Sequence, residues 1–413
     1  MQITPTYWSR RLFIQSLSAA TAGLLLRPLA ANATPGGLDP KIADIVRATI
    51  GIDTHNHIDV PLLSEELPGP DIALASEIQK SGLSAICMTF AVDYVKLTYE
   101  GQAYERFLTG LKAMDAVLQK NAMTRCLNTA DILKAHKSGQ PTVIQSVEGG
   151  HFLEGKVDRL QLAYDRGLRH LGLLHDHDAS TPLGDIFTEP PRWGGLTKFG
   201  ASVIRESERL GILVDLAHAD DNTINGALKV ATKPVIITHT GLNTRLGNNP
   251  AMAKMMLPRL ISKSQAKIVA SQGGVIGVWT HLADNAQQMA ENIKAMVDVV
   301  GIDHVAIGTD TKLTTPYHSP KDHFEQHDKN KQVHPAVING STEEPRKSNH
   351  QHRPSGETTT NSLWPPLTKG GASGFYYELV AALLKAGYDQ KAIGKIGGGN
   401  YLRVFDLATA KQA

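Results

Sequence analysis

Short, mainly apolar runs alternate along this chain with longer stretches in which apolar residues recur every three or four positions. The runs are Thr49–Thr54, Leu83–Phe90, Thr142–Val147, Leu168–Leu174, Ile212–Ala217, Pro234–Thr238, Gly274–Trp279 and Asp303–Thr309. Their length and continuity predict strands buried on both faces. Between most of them, Tyr104–Leu118, Val157–Tyr164, Phe199–Leu210, Asp221–Ala231 and Ala286–Val300 carry helical spacing. Strand and helix in alternation predict an α/β fold with a parallel sheet and helical crossovers. Eight repeats favour closure into a (β/α)8 barrel over an open doubly wound sheet. No Gly-x-Gly-x-x-Gly follows the first strand, which weakens a nucleotide-binding reading.

The pattern breaks over residues 311–370, which are rich in Pro, Lys, Asn, Ser, Thr and Glu and hold no period. This segment carries His318, His323, His327, His334, His350 and His352. It reads as a long, partly disordered polar insertion after the eighth strand. Its position beside the barrel mouth also suits a lid or the contact loop of a homodimer. A stray-metal role for its histidines is a further alternative. Phe375–Leu384 and Ile393–Phe405 then read as closing helices, interrupted at Gly397-Gly398-Gly399-Asn400 by what looks like a helix cap and turn rather than a phosphate cradle.

Polar residues of metal-binding type stand at or just past the ends of the runs. His55 and His57 follow the first, Glu148 the third, His218 the fifth, His239 the sixth and Asp310 the eighth. In a parallel barrel all these ends open onto one mouth, where such enzymes place their chemistry. Residues i and i+2 of a strand point the same way, so His55 and His57 can share one cation. His218 and His239 end successive strands and can share a second. Zinc accepts imidazole nitrogen and carboxylate oxygen while keeping a position open for water. A carboxylate can bridge two cations, and Glu148 is followed by glycines that permit close approach. Two adjacent cations can hold a hydroxide and polarise a carbonyl together. The residues alone thus point to a metal-dependent hydrolase.

Composition narrows this further. The chain has 413 residues, 41% of them hydrophobic, and a formal charge of +2 without a basic, aromatic-interleaved stripe, so no nucleic-acid partner is expected. Cys87 and Cys126 are the only cysteines, which excludes a disulfide-dense scaffold and a four-cysteine zinc site. Cys87 reads as a buried thiol, with a Cys87–Cys126 disulfide as the alternative in an oxidising compartment. Residues 1–33 have the marks of a twin-arginine signal: Arg10-Arg11, an apolar stretch from Leu17 to Leu29, and small residues at Ala31-Asn32-Ala33. Arg10, Arg11 and Arg27 are the only charges there, so removing them takes the formal charge from +2 to −1. The expectation is a periplasmic or exported protein that uses the twin-arginine machinery, with residues 34–413 forming the hydrolase domain.

In order, Asp53-Thr54-His55-Asn56-His57, Val147-Glu148-Gly149-Gly150-His151, Asp215-Leu216-Ala217-His218, Thr238-His239-Thr240 and Gly308-Thr309-Asp310 resemble the motifs of the renal-type (membrane) dipeptidases, zinc peptidases of the amidohydrolase-like superfamily. Gly273-Gly274-Val275-Ile276-Gly277-Val278 and Ile396-Gly397-Gly398-Gly399-Asn400-Tyr401-Leu402-Arg403-Val404 belong to the same resemblance, which covers about 40–310 and 370–405. It implies a (β/α)8 barrel with two zinc ions that hydrolyses the peptide bond of dipeptides by a bridging hydroxide. It assigns His55 and His57 to the first zinc, Glu148 to the bridge, and His218 with His239 to the second. It makes His175 the group at the scissile carbonyl and Asp310 the catalytic acid/base, with no metal role. It also implies an arginine for the substrate carboxylate: counting back from Gly273-Gly274 gives Arg259, with Arg245 as competitor. Two positions depart from the family pattern. His57 stands where aspartate is usual, and Thr311-Lys312-Leu313 replaces Phe-Asp-Gly after Asp310. These departures keep open a related amidohydrolase acting on a non-peptide amide, lactone or β-lactam. A non-catalytic exported metal- or peptide-binding protein fits less well, since Glu148, His175 and Asp310 are all present.

Overall fold

The computed structural model describes residues 37–319 and 374–410. The proposed signal and most of the insertion, including His323, His327, His334, His350 and His352, lie outside them. Eight parallel strands form the frame: β1 (Ile52–His57), β2 (Ala85–Thr89), β3 (Thr142–Val147), β4 (Leu168–Gly172), β5 (Leu213–Asp215), β6 (Ile236–Thr240), β7 (Val275–Val278) and β8 (Val305–Ile307). Each pairs with the next, and β1 pairs with both β2 and β8, so the sheet closes into the expected (β/α)8 barrel. All residues of these strands are buried. That is why the runs read as continuous rather than alternating.

The helices are α1 (Pro40–Ala48), α2 (Leu74–Ser81), α3 (Gln102–Lys120), α4 (Thr129–Lys137), α5 (Arg159–Asp165), α6 (Lys198–Leu210), α7 (Asp221–Val230), α8 (Pro250–Met256), α9 (Lys263–Ser271), α10 (Ala286–Val300), α11 (Phe375–Lys385), α12 (Gln390–Gly394) and α13 (Asn400–Thr409). Local chemistry sets their ends. Thr197 caps α6 by accepting from the Gly200 N–H, and Gly211 ends it in the left-handed region. Asn285 caps α10 through the Gln288 N–H. One apolar layer fills the space between strands and helices. A second gathers Ile52, Ala85, Ile144, Leu213, Ile236, Val275 and Ala306, near the strand starts, against Tyr401, Val404 and Phe405 of α13. This closing helix seals the floor, leaving the opposite end for function.

Two details differ from the sequence reading. The glycine run before α13 does not break the chain: Lys395–Gly399 continues as a wider π-type turn into α13. Glycine serves close approach there, because a Cβ at Gly398 would come within 2.3 Å of the Ile50 carbonyl oxygen. Second, the chain does not leave the barrel at residue 311. Thr311–Lys312 forms a ninth strand, β9, paired with Asn56 and His57 outside the ring. Leu313 is buried and its N–H donates to Asn56 Oδ1 at 2.9 Å, while Lys312 Nζ lies 3.0 Å from Asp59. Cys87 and Cys126 are both free and buried, as the main reading of Cys87 had it, and the alternative disulfide is not formed. Cys87 Sγ donates instead to Tyr401 Oη at 3.2 Å, and burial pushes the Cys126 thiol up to about 11.

Inside the barrel the strands touch closely around Thr238. Thr54 Oγ1 sits 2.9 Å from the carbonyls of Thr238 and Ile307. A Cβ on Gly277 would come within 1.8 Å of the Thr238 carbonyl oxygen, so only glycine fits without moving a strand. Gly277→Ala is expected to lower stability by about 1–3 kcal/mol, the usual cost of overpacking. Denaturant unfolding should show this as a lower midpoint at unchanged slope; an unshifted midpoint would mean that the strands yield freely here.

Candidate metal centre

Two buried aspartates set the frame of the site. Asp53 in β1 accepts from the Thr309 N–H at 2.8 Å and Thr309 Oγ1 at 2.6 Å, which ties the end of β8 to β1 and brings Asp310 beside His55 and His57. Asp215 in β5 accepts from the N–H groups of Ala217 (2.9 Å) and Thr238 (3.0 Å) and from Thr238 Oγ1 (2.6 Å). It thereby fixes both the turn to His218 and the strand that carries His239. His218 and Asp310 have φ of +68° and +54°, a left-handed backbone that costs a non-glycine residue energy and concentrates at functional sites.

The ring nitrogens then follow from satisfaction. The single hydroxyl proton of Thr238 goes to Asp215, so His239 Nδ1, 2.9 Å away, donates to Thr238 Oγ1 and leaves Nε2 as a lone pair. His218 Nδ1 donates to Asp176 at 3.1 Å and His175 Nδ1 donates to Asp93 at 2.6 Å. His57 Nδ1 lies 2.5 Å from the hydroxyl of Tyr94. These four imidazoles hold an outer partner with Nδ1 and turn Nε2 inward, the arrangement that carboxylate and hydroxyl supports give to metal-ligating histidines.

At the centre stands Glu148, just past β3. Its oxygens lie 2.8 Å from His218 Nε2, 3.2 Å from His175 Nε2, 3.4 Å from His55 Nε2, 3.6 Å from His239 Nε2 and 3.7 Å from His57 Nε2. Glu148 is buried, yet neither oxygen has a hydrogen-bond partner among the described residues. His55 and His57 bring their Nε2 atoms within 3.2 Å, and His218 and His239 theirs within 3.0 Å. Two ligands about 2.0–2.1 Å from a tetrahedral zinc stand about 3.3 Å apart, so both pairs have the spacing of nitrogens that share a cation. Among the described residues, three groups have donor atoms close enough for one: His55, His57 and Asp310; His55, Glu148 and His239; and Glu148, His175 and His218. The residues fit metal.

Electrostatics agree. Burial opposes charge on His218, but Glu148 and Asp176 outweigh it and raise its pKa to about 10. Burial likewise opposes charge on His175, and Asp93 with Glu148 raises it to about 9. Burial would raise the Glu148 carboxyl, yet His175, His55 and His218 hold it well below its ordinary range. The pocket's fixed negative charge therefore demands positive charge at these nitrogens, and protons compete with metal for it.

The other expected residues divide. Asp310 Oδ1 is 3.1 Å from His57 Nε2 and 3.8 Å from His55 Nε2, which places it within the first donor group and not apart from it. Arg259, held by Thr240 Oγ1 donating to its carbonyl, reaches Asp176 at 3.2 Å beside His218. Arg245 is not brought to the cluster: its guanidinium bonds Asn292 and Glu291 on α10. Four contributing residues were missed: Asp93, Tyr94, Asp176 and His281, whose Nε2 is 2.8 Å from Asp310 Oδ2. They stand at or just beyond the ends of β2, β4 and β7, so the strand-end rule applied to every run would have found them.

A closed (β/α)8 barrel with carboxylates and imidazoles converging at its mouth defines a metal-dependent hydrolase. Residues 40–322 match the model of the membrane dipeptidase family, peptidase family M19, and the chain belongs to that family. Among solved structures it is similar to an amidohydrolase from Pseudomonas aeruginosa, with 21% identity, a TM-score of 0.64 and 89% of this chain and 98% of that chain covered. It is also similar to dipeptidase AC, a metallopeptidase of family M19, at 16% identity and a TM-score of 0.61 over 88% and 99% of the two chains. A metallopeptidase from Rhodobacter sphaeroides, liganded with a phosphinate mimic of the dipeptide L-Ala-D-Ala, matches at 16% identity and a TM-score of 0.59 over 87% and 99%. These likenesses show the shared fold.

Replacing Glu148 by glutamine keeps its volume and removes the charge facing all five imidazoles. Glu148→Gln is expected to lose bound divalent metal and nearly all hydrolytic activity. Elemental analysis of the purified variant decides: wild-type metal content would rule out a central ligand role.

Proposed function

We propose that the protein is an exported dipeptidase that works with two zinc ions: His55 and His57 would hold the first, His218 and His239 the second, and Glu148 would serve both. The observation that carries this reading is the inward turn of the five Nε2 atoms around one buried carboxylate with no hydrogen-bond partner. When bound, such cations supply an acidified water and polarise the scissile carbonyl.

The chain's own residues do the rest. Asp310 takes the proton from the attacking water and passes it to the leaving nitrogen, because an amide anion is a very poor leaving group. Its second oxygen is held by His281, which keeps the first turned toward the cluster. His175, kept protonated by Asp93 and Glu148, donates Nε2–H to the carbonyl oxygen as that oxygen gains charge. Arg259 pairs with the substrate carboxylate, kept in reach by Asp176.

The test is an assay of the mature chain with added zinc on a panel of L,L and L,D dipeptides, a simple N-acyl amide, a lactone and a β-lactam. Metal-dependent cleavage of dipeptides is expected; turnover of the non-peptide substrates alone would replace this reading with the related amidohydrolase one, which His57 at the first site favours. On the same panel Arg259→Ala should raise KM for carboxylate-bearing substrates about 10–100-fold, as for a lost charged hydrogen bond. Arg245→Ala should leave KM unchanged, and the reverse result would exchange the two arginines.

Export rests on Arg10-Arg11 and the apolar stretch behind them. Arg10→Lys with Arg11→Lys should strand the precursor in the cytoplasm in a fractionation experiment. Normal export of that variant would point to the general secretory route.

A further inference from the structure

Asp93 lies behind the centre, on the far side of His175 from Glu148. It follows β2, in a stretch whose Ala91 bridges to Glu148, and it is 1% exposed. It belongs to none of the three donor groups able to hold a cation. Its oxygens are nonetheless fully committed. Oδ1 accepts from His175 Nδ1 at 2.6 Å and Oδ2 accepts from His177 Nδ1 at 3.2 Å, with His151 Nε2 3.5 Å away. His151 Nε2 donates to the His177 carbonyl at 2.8 Å, which fastens the loop that supplies the second contact. The carboxylate is therefore fixed in its plane by two elements, the turn after β3 and the loop after β4.

The His175 ring is held on its remaining sides by Tyr94, edge-on at 5.7 Å between centroids, and by His218 at 4.9 Å. Neither ring contact selects which nitrogen faces inward, since a flip of the imidazole would preserve both. Among the described residues two carboxylates face its nitrogens, and the closer is Asp93, 2.6 Å from Nδ1 against 3.2 Å from Nε2 to Glu148; a carboxylate accepts and cannot donate. His175 Nε2 is buried, has no hydrogen-bond partner among the described residues and faces Glu148.

We propose that Asp93 is a positioning residue: its carboxylate accepts from His175 Nδ1–H and fixes the plane of the ring, so that Nε2–H is aimed at the reacting carbonyl oxygen. The catalytic part of this inference rests on the hydrolase reading above; the orientation of His175 does not. Outer partners of this kind typically change activity about 10–100-fold when removed. Asp93→Asn keeps the shape but offers an amide that can donate, and so permits the opposite ring orientation.

The test has two arms. In the first, Asp93→Asn lowers kcat about 10–100-fold, with KM within about twofold and metal content at the wild-type level. Made in a His175→Ala background, the same substitution costs nothing further, because the two residues act as a unit. A full additional loss in that background, or an unchanged kcat in the single variant, would overturn the proposal. In the second arm, nitrogen-resolved NMR of 15N-histidine-labelled, metal-free protein reads the His175 ring directly. The wild type is expected to show a strongly hydrogen-bonded Nδ1 proton that disappears or shifts in Asp93→Asn. A wild-type His175 with a bare Nδ1 would overturn the proposal even if the variant failed to fold. Because this arm needs no substrate, absence of amide hydrolysis would remove the functional reading and leave the Asp93 assignment to be decided by NMR.

Discussion

A carboxylate buried without a hydrogen-bond partner is among the costliest arrangements a protein can hold, and Glu148 is such a group. Much of the barrel mouth can be understood as the means of making it tolerable. Imidazoles from β1 and β6 and from the turns after β4 and β5 converge on it, and four of them have an outer partner that turns the useful nitrogen inward. Without metal, protons on His218 and His175 have to supply the positive charge that this anion faces. The fold thus carries at its mouth a deficit that metal ions satisfy, and the left-handed backbone at His218 and Asp310 is a second local cost borne there.

What meets these costs is the closed sheet. Asp53 and Asp215 play matching parts on opposite sides of the barrel, each binding a backbone N–H and the hydroxyl of a threonine on the neighbouring strand. Through Thr309 and Thr238 they set the positions of the very next residues, Asp310 and His239. The precision of the centre therefore comes from strand-to-strand hydrogen bonds below it, and those depend in turn on the apolar floor sealed by α13. Stability and chemistry occupy opposite ends of the same strands.

Much of this was legible in the sequence because strand ends converge by topology alone. His55, His57, Glu148, His175, His218, His239 and Asp310 could be read from their offset to an apolar run. Asp93, Tyr94, Asp176 and His281 were passed over because their partners are distant in the chain: Asp93 meets His175 across 82 residues. They too lie just past the ends of β2, β4 and β7, but only lateral packing shows which group each one supports. Counting back from Gly273-Gly274 preferred Arg259 and kept Arg245 as competitor; Arg259 lies 3.2 Å from Asp176 beside His218, whereas Arg245 bonds Asn292 and Glu291. The glycine run before α13 misled for a similar reason. Glycine is a local signal for a turn, whereas Gly398 answers to the Ile50 carbonyl on a distant segment.

The ninth strand has a consequence for anyone who would shorten this protein. Because Thr311–Lys312 adds to the edge of β1 at Asn56 and His57, the start of the polar insertion is mechanically part of the first ligand strand. Leu313, Asp59 and Tyr317 extend that attachment, with the Tyr317 N–H donating to Asp59 at 3.2 Å and its hydroxyl to Glu66 at 3.1 Å. A graft or deletion cut at residue 311 would release the edge of the strand that presents His57, while one that begins after residue 319 leaves that edge clamped. The safe splice point for re-engineering the rim is therefore set by β-sheet pairing rather than by where the sequence turns polar.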